Sequence, residues 1–196
     1  MIIAATDRKS SVLPFRDQIS LIVAARPDMI MLTERDMSPD EYKETALFCA
    51  EECKKNNVKL CLDKFADVAN EIGIRTIHLD ADEIREAKFD TVLVTVHNEK
   101  EAKDAEASGA SILIFREVFD MSCKSCRRAK GLPMLRFMLG AVDIPVVGAG
   151  GILPDVFGEV LATDAAGVCM KYGFMTTKDP SAVVKAYRDT ETHFKR

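Results

Sequence analysis

The chain has 196 residues, 47% of them hydrophobic and 30% charged, the composition of an ordinary globular protein long enough to bury a sizeable core. A net charge of −4 and a pI near 5.5 argue against nucleic acid or an anionic membrane as the main partner. No apolar run approaches the roughly 18–20 residues that span a bilayer. The opening Met1-Ile2-Ile3-Ala4-Ala5-Thr6-Asp7 lacks the basic start and long apolar stretch of a signal peptide. The expectation is a cytoplasmic protein of one domain, residues 1–196.

In chain order, short β-branched runs alternate with amphipathic stretches. Met1–Thr6 reads as a strand and Phe15–Ala25 as a helix with Ile19, Ile22 and Val23 on one face. Met29–Leu32 is the second strand. Ser38-Pro39, followed by Asp40 and Glu41, then caps a long helix reaching Asn56. Val58–Leu62 is a strand, Phe65–Ile72 a helix ended by Gly73, and Thr76–Leu79 a strand followed by a helical turn around Asp82–Ala87. Thr91–Val96 is the clearest strand, with Asn98 capping a helix that Gly109 ends. Ser111–Phe115 comes next, then a long polar loop, a helix near Pro133–Leu139, a strand at Ile144–Val147 and a helix over Pro154–Ala162. Ala166–Met170 and a last helix from Asp179-Pro180 to about Thr192 complete the pattern. Eight strands, each followed by something helical, predict a (β/α)₈ TIM barrel. A doubly wound open sheet is the rival, weakened because no glycine-rich dinucleotide turn follows the first strand.

The six cysteines point to no disulfide framework. Cys49, Cys61 and Cys169 sit in apolar periodic segments and read as small buried hydrophobes. Cys123 and Cys126 form a C-x-x-C, yet a structural zinc needs about four ligands and no second pair is present. Two loop thiols without metal or redox chemistry are the expected reading.

Barrels of this kind carry their chemistry at strand C-termini. That rule selects Thr33, Glu34 and Arg35, Asp63 and Lys64, His78 with Asp80, Asp82 and Glu83 just beyond, Thr95 and His97, Arg116 and Glu117 with Lys124 in the following loop, and Lys171 with Tyr172 and Gly173. It also selects Gly148-Ala149-Gly150-Gly151, which lies between an apolar strand and a helix. Glycines there let backbone N–H groups approach a phosphate closely, with Gly150, Gly151, Tyr172 and Gly173 as its expected cradle. The plainer alternative is a tight turn that binds nothing.

From Met31 to Gly173 the order and spacing of motifs resemble the thiamine phosphate synthase/TenI family. The family's Q-x-R-E-K motif is similar to Met31-Leu32-Thr33-Glu34-Arg35, and its N-D-R-x-D-x-A to Asp63-Lys64-Phe65-Ala66-Asp67-Val68-Ala69. Its H-L-G-Q resembles His78-Leu79-Asp80-Ala81, and its G-P-V-F-x-T-x-T-K the stretch Arg116-Glu117-Val118-Phe119 through Lys124. Its P-V-x-x-x-G-G-I resembles Pro145-Val146-Val147 through Gly150-Gly151-Ile152.

Synthases of this family join a pyrimidine diphosphate to a thiazole phosphate, with Mg²⁺ neutralising the leaving diphosphate. The diphosphate-holding arginine falls on Thr33, the metal-binding aspartate on Lys64 unless Asp63 takes its place, and the loop threonines on Met121 and Cys123. TenI-type members need no such apparatus, and some tautomerise a thiazole carboxylate phosphate. Their catalytic histidine falls on Glu117, and a carboxylate serves as a general acid/base when its pKa suits; a solvated rim pair with Arg116 is the alternative.

The favoured expectation is therefore a TenI-like enzyme with Glu117 and Lys124 as catalytic residues. A divergent thiamine phosphate synthase comes second, and a non-catalytic phosphometabolite-binding barrel third. No cofactor is expected outside the synthase reading, in which Asp63 and Glu83 would serve Mg²⁺. Glu34 and Asp67 are pocket groups or ion-pair partners of Arg35 and Lys64. The expected partner is a phosphorylated small molecule, with homo-oligomerisation left open.

Overall fold

The structure, a computed structural model, describes residues 1–84, 88–120 and 129–194. Eight strands, β1 (Ile2–Ala5), β2 (Met29–Leu32), β3 (Lys59–Asp63), β4 (Thr76–Leu79), β5 (Thr91–Val96), β6 (Ile112–Phe115), β7 (Val146–Ala149) and β8 (Gly167–Met170), pair in parallel in chain order and close into a barrel. Closure is carried by β1, which pairs with both β2 and β8. The fold is thus the (β/α)₈ barrel, and the open-sheet alternative falls. The strands are apolar runs because both their faces are buried. One face, including Ile3, Met31, Cys61, Leu93, Ile114 and Cys169, fills the barrel interior. The other, including Ile30, Leu62, Ile77 and Phe115, packs under the helices.

The helices are α1 (Phe15–Ala24), α2 (Pro39–Asn56), α3 (Ala66–Ile72), α4 (Glu99–Ala107), α5 (Gly131–Ala141), α6 (Phe157–Leu161), α7 (Tyr172–Met175) and α8 (Pro180–Phe194). The start of α2 is set by a reciprocal cap: Ser38 Oγ accepts from Glu41 N at 3.4 Å, and Glu41 Oε2 accepts from Ser38 N at 2.9 Å. No helix is long and apolar enough to cross a membrane among the described residues. Cys49, Cys53, Cys61 and Cys169 are buried free thiols, and burial pushes the Cys53 thiol up to about 12. Cys123 and Cys126 lie outside the described residues.

Several elements differ from the sequence expectation, among them a 3₁₀ turn at Arg8–Ser10 and a strand β3 one residue later than expected. Strand β7 runs two residues later, because Glu106 Oε1 holds the amides of Asp143 and Ile144 at 2.7 and 3.0 Å in the approach to the sheet. The expected helix over 154–162 splits into a single 3₁₀ turn, Pro154–Val156, and α6. Helix α7 was not expected at all, so Tyr172 and Gly173 open a helical turn rather than extend a loop. After β4 a turn spans Ala81–Glu83; the remainder of the expected helical turn includes residues 85–87, which are not described.

One side chain ties a helix to the functional end of the sheet. Tyr42 of α2 is fully buried; its hydroxyl donates to the Leu32 carbonyl at 2.7 Å and accepts from the Asp63 amide at 2.9 Å. It thereby satisfies backbone groups at the C-terminal ends of both β2 and β3. Tyr42→Phe leaves a buried donor and acceptor without that partner, so stability should fall by about 1–3 kcal/mol. Urea unfolding should show a lower midpoint at unchanged slope.

Candidate active site

Four consecutive strands deliver a connected row of polar side chains to the barrel mouth. Strand alternation turns Arg35, Asp63, His78 and Thr95 toward the barrel interior after β2, on β3, on β4 and on β5. Arg35 grips the Asp63 carboxylate with two bonds, Nε to Oδ2 at 2.6 Å and Nη2 to Oδ1 at 2.8 Å. His78 Nδ1 lies 2.6 Å from Asp63 Oδ1, and His78 Nε2 lies 2.9 Å from Thr95 Oγ1. An ionised carboxylate only accepts, so the Nδ1 facing it carries the proton and a neutral ring presents Nε2 as acceptor to the Thr95 hydroxyl. Asp63 is 2% exposed. Burial pushes its carboxyl up, but the bonds from His78 and Arg35 outweigh burial and hold it below its ordinary value.

Beside this row, Lys64 follows β3 in the left-handed conformation, at φ 72°, with its amide donating to the His78 carbonyl at 2.9 Å. Its ammonium pairs closely with Asp80 and lies 3.5 Å from Glu83 Oε1. The other Glu83 oxygen accepts from the Asp80 amide at 3.0 Å. The bond to Asp80 raises the Lys64 ammonium above its ordinary value.

Thr33 and Glu34 are held in the join between β1 and β2. Thr33 Oγ1 donates to the Thr6 carbonyl. Buried Glu34 accepts from Thr6 Oγ1 at 2.8 Å, the Arg8 amide at 3.0 Å and the Arg8 guanidinium at 3.1 Å. The expected ion pairs are therefore corrected: Glu34 pairs with Arg8, Arg35 with Asp63, and Lys64 with Asp80 and Glu83. Asp67 is exposed in the first turn of α3. Alternation is the reason, since Glu34 and Arg35 point to opposite sides of the chain.

The other half of the mouth is built by the connections after β6, β7 and β8. Glu117 has φ 70° and a side chain 14% exposed, with Oε2 3.3 Å from Lys130 Nζ. Lys130 also donates from Nζ to the His97 carbonyl at 2.7 Å and from its amide to the Glu117 carbonyl at 2.7 Å. His97 Nδ1 lies 3.0 Å from Glu101 Oε2. Gly150 and Gly151 have φ 90° and 61°. A Cβ on Gly150 would lie 2.8 Å from the Glu117 nitrogen, and one on Gly151 2.8 Å from the Asp120 carbonyl oxygen. The glycines are thus required by the close approach of the β6 and β7 connections, where Val118 and Phe119 donate to the carbonyls of Ala149 and Gly150 at 3.0 and 3.1 Å. The sequence reading weighed a phosphate cradle against a tight turn that binds nothing, and did not foresee the second connection packed against them.

Arg116 and Lys171 are exposed cations at the ends of β6 and β8. Both act on the inward-facing Cys169 thiol, which burial nevertheless pushes up to about 12. Tyr172 is 66% exposed, and a Cβ on Gly173 would make only ordinary contact with Met170 Sδ and Leu153 Cδ2, at 3.8 and 4.0 Å. Lys124 lies outside the described residues. The strand-end rule reached Arg35, Arg116 and Lys171, each two residues beyond an inward-facing position, without assigning them a ligand; no local pattern marks Lys130.

The donors that the resemblance assigns to Mg²⁺ do not fit it. Both Asp63 oxygens face Arg35 or His78, and Glu83 faces an ammonium and an amide. Mg²⁺ needs near-octahedral oxygen ligands at about 2.0–2.1 Å, and among the described residues no group of three or more His, Cys, Asp or Glu is placed to hold a metal.

Since the folded carboxyl of Asp63 lies below its unfolded value, its contribution to stability is fully present above about pH 4, the ordinary carboxylate range. It is lost as pH falls through the depressed folded value. Asp63→Asn should cost about 1.5–3 kcal/mol at pH 7. Urea titrations of both proteins from pH 7 to 3 should show that difference shrinking only below about pH 4.

The chain matches the family described as thiamine monophosphate synthase over residues 2–174. It is 28% identical over 191 residues to the thiamine-phosphate synthase of Coprothermobacter proteolyticus, covering 93% of this chain and 90% of that one. It is 30% identical over 152 residues to that of Xanthomonas campestris pv. campestris, covering 74% and 72%. Among solved structures, the thiamine phosphate pyrophosphorylase from Pyrococcus furiosus superposes with a TM-score of 0.87 at 24% identity, covering 98% of this chain and 96% of that one, a likeness that bears on the fold. With the family match running from β1 into α7, the chain belongs to the thiamine monophosphate synthase family of thiamin biosynthesis.

Proposed function

We propose that the chain binds a thiazole phosphate across the C-terminal face of the barrel and catalyses a proton-transfer isomerisation of the tautomerase type. The observation that carries this reading is Glu117. Its carboxylate is largely buried at the end of β6 beside Lys130, on a backbone in the left-handed region that costs a non-glycine residue about 1–2 kcal/mol. Such strain is commonly kept at functional sites.

In this reading Glu117 removes a proton from one end of the conjugated heterocycle and returns it at the other. The electrons stay in the ring system and no group leaves, so no co-reactant is needed. Lys130 fixes the direction of the carboxylate, and His78, held by Asp63 and Thr95, lines the floor beneath the ring. The phosphate lies on the β7–β8 side, against the backbone of Gly150, Gly151 and Gly173 and between Arg116 and Lys171, with Lys124 as a further point charge. Tyr172 flanks it. Thr33, whose hydroxyl is committed to the Thr6 carbonyl, offers no cation to a diphosphate.

A second reading, a divergent thiamine phosphate synthase, is favoured by the names of the relatives. An assay with pyrimidine diphosphate, thiazole phosphate and Mg²⁺ separates the two; robust magnesium-dependent coupling would displace the tautomerase. Glu117→Gln removes the titratable group at nearly constant shape. Turnover of a thiazole carboxylate phosphate should fall about 10²–10⁴-fold with little change in affinity. Unchanged turnover removes Glu117 from the mechanism, and binding without turnover in the wild type leaves a binding protein.

A further inference from the structure

We infer that the ammonium of Lys64 is a built-in replacement for the divalent cation implied by the family's coupling reaction, neutralising an anion on the β3–β4 side of the mouth without metal. The inference rests on family membership and goes beyond the tautomerase reading, since it holds for either reaction. Three observations meet at this residue.

The first is the backbone. Lys64 sits at φ 72°, unusual for a long side chain, and its amide is fixed on the His78 carbonyl. The ammonium is thereby brought toward Asp80 and Glu83, two carboxylates that would otherwise stand together at the end of β4. The second is the pairing itself: the ammonium touches Asp80 and lies 3.5 Å from Glu83, while Asp63 is already held by Arg35 and His78. Asp63, Asp80 and Glu83 each have a cationic or N–H partner, so a metal ion held by them would have to displace one. The third is access. The Lys64 side chain is 33% exposed and that of Asp80 47%, and Arg35 stands next to it, with Nη2 3.8 Å from Asp80. An arriving phosphate or diphosphate oxygen exchanges for Asp80, whose half-exposed carboxylate turns to water. It then meets an ammonium and a guanidinium, charges that need no bound water removed from a metal.

The test uses Mn²⁺ binding followed by electron paramagnetic resonance on the wild type, Lys64→Asp and Lys64→Asn. Asp and Asn are among the non-glycine residues most at home at positive φ, so both variants keep the turn, and thermal melting verifies it. Lys64→Asp places a third carboxylate beside Asp80 and Glu83, an oxygen set of the kind that hard cations take. The wild type and Lys64→Asn should bind Mn²⁺ no more tightly than about 1 mM, and Lys64→Asp at least about tenfold more tightly. Micromolar Mn²⁺ binding by the wild type overturns the inference, as does a Lys64→Asp protein no tighter than Lys64→Asn. In a second arm, inorganic pyrophosphate is titrated calorimetrically in EDTA. The wild type should bind it about tenfold more tightly than Lys64→Asn, and equal affinities overturn the role in anion binding. Neither arm contains a thiazole or scores turnover, so failure here leaves the tautomerase reading standing.

Discussion

The buried Asp63 carboxylate is the constraint on which the mouth of the barrel depends. A carboxylate at 2% exposure is tolerable only when its oxygens are matched by donors, and the match here comes from both neighbouring strands. Arg35 reaches it from the end of β2 and His78 from β4, and His78 passes the connection on to Thr95 of β5. Tyr42 supports the same residue from the helix layer through the Asp63 amide. Strand register, side-chain tautomer and ring orientation are therefore fixed by one charge and its partners.

The two halves of the mouth differ in how they use charge. On the β2–β4 side, two cations, Arg35 and Lys64, pair at short range with three carboxylates, Asp63, Asp80 and Glu83, giving a connected electrostatic network. On the β6–β8 side, Arg116 and Lys171 are exposed, and the glycine-rich connection after β7 presses its backbone against the connection after β6. The first half is suited to holding a pocket in shape and exchanging a carboxylate for a ligand anion. The second is suited to receiving an anion from solvent.

Backbone strain follows the same division of the barrel. Five described non-glycine residues have positive φ: Arg26, Asn57, Lys64, Glu117 and Asp164. Arg26, Asn57 and Asp164 lie in helix-to-strand connections at the N-terminal face, where a left-handed residue simply ends a helix. Lys64 and Glu117 instead follow strands, at the face where barrels do chemistry. Both carry a charged group into the mouth, one toward carboxylates and the other toward Lys130.

The barrel was legible in the sequence because its strands are apolar on both faces and its helices carry local signals: the Ser38 cap, the Asn98 cap, and Gly73 after α3. Periodicity and capping are properties of neighbouring residues, so no tertiary information was needed to place Met29–Leu32 or Thr76–Leu79. The rule that strand ends carry function then collected Asp63, Lys64, His78, Thr95 and Glu117. What the sequence left undecided was who pairs with whom. Glu34 adjoins Arg35 in the chain but meets Arg8, across the β1–β2 join, because adjacent residues leave a strand on opposite sides. Lys130 reaches Glu117 from the far end of a long connection, and Gly150 and Gly151 are glycine because another loop lies within 2.8 Å of where their side chains would begin. Those facts depend on distances between segments far apart in the chain, which strand alternation does not encode and only the closed barrel supplies.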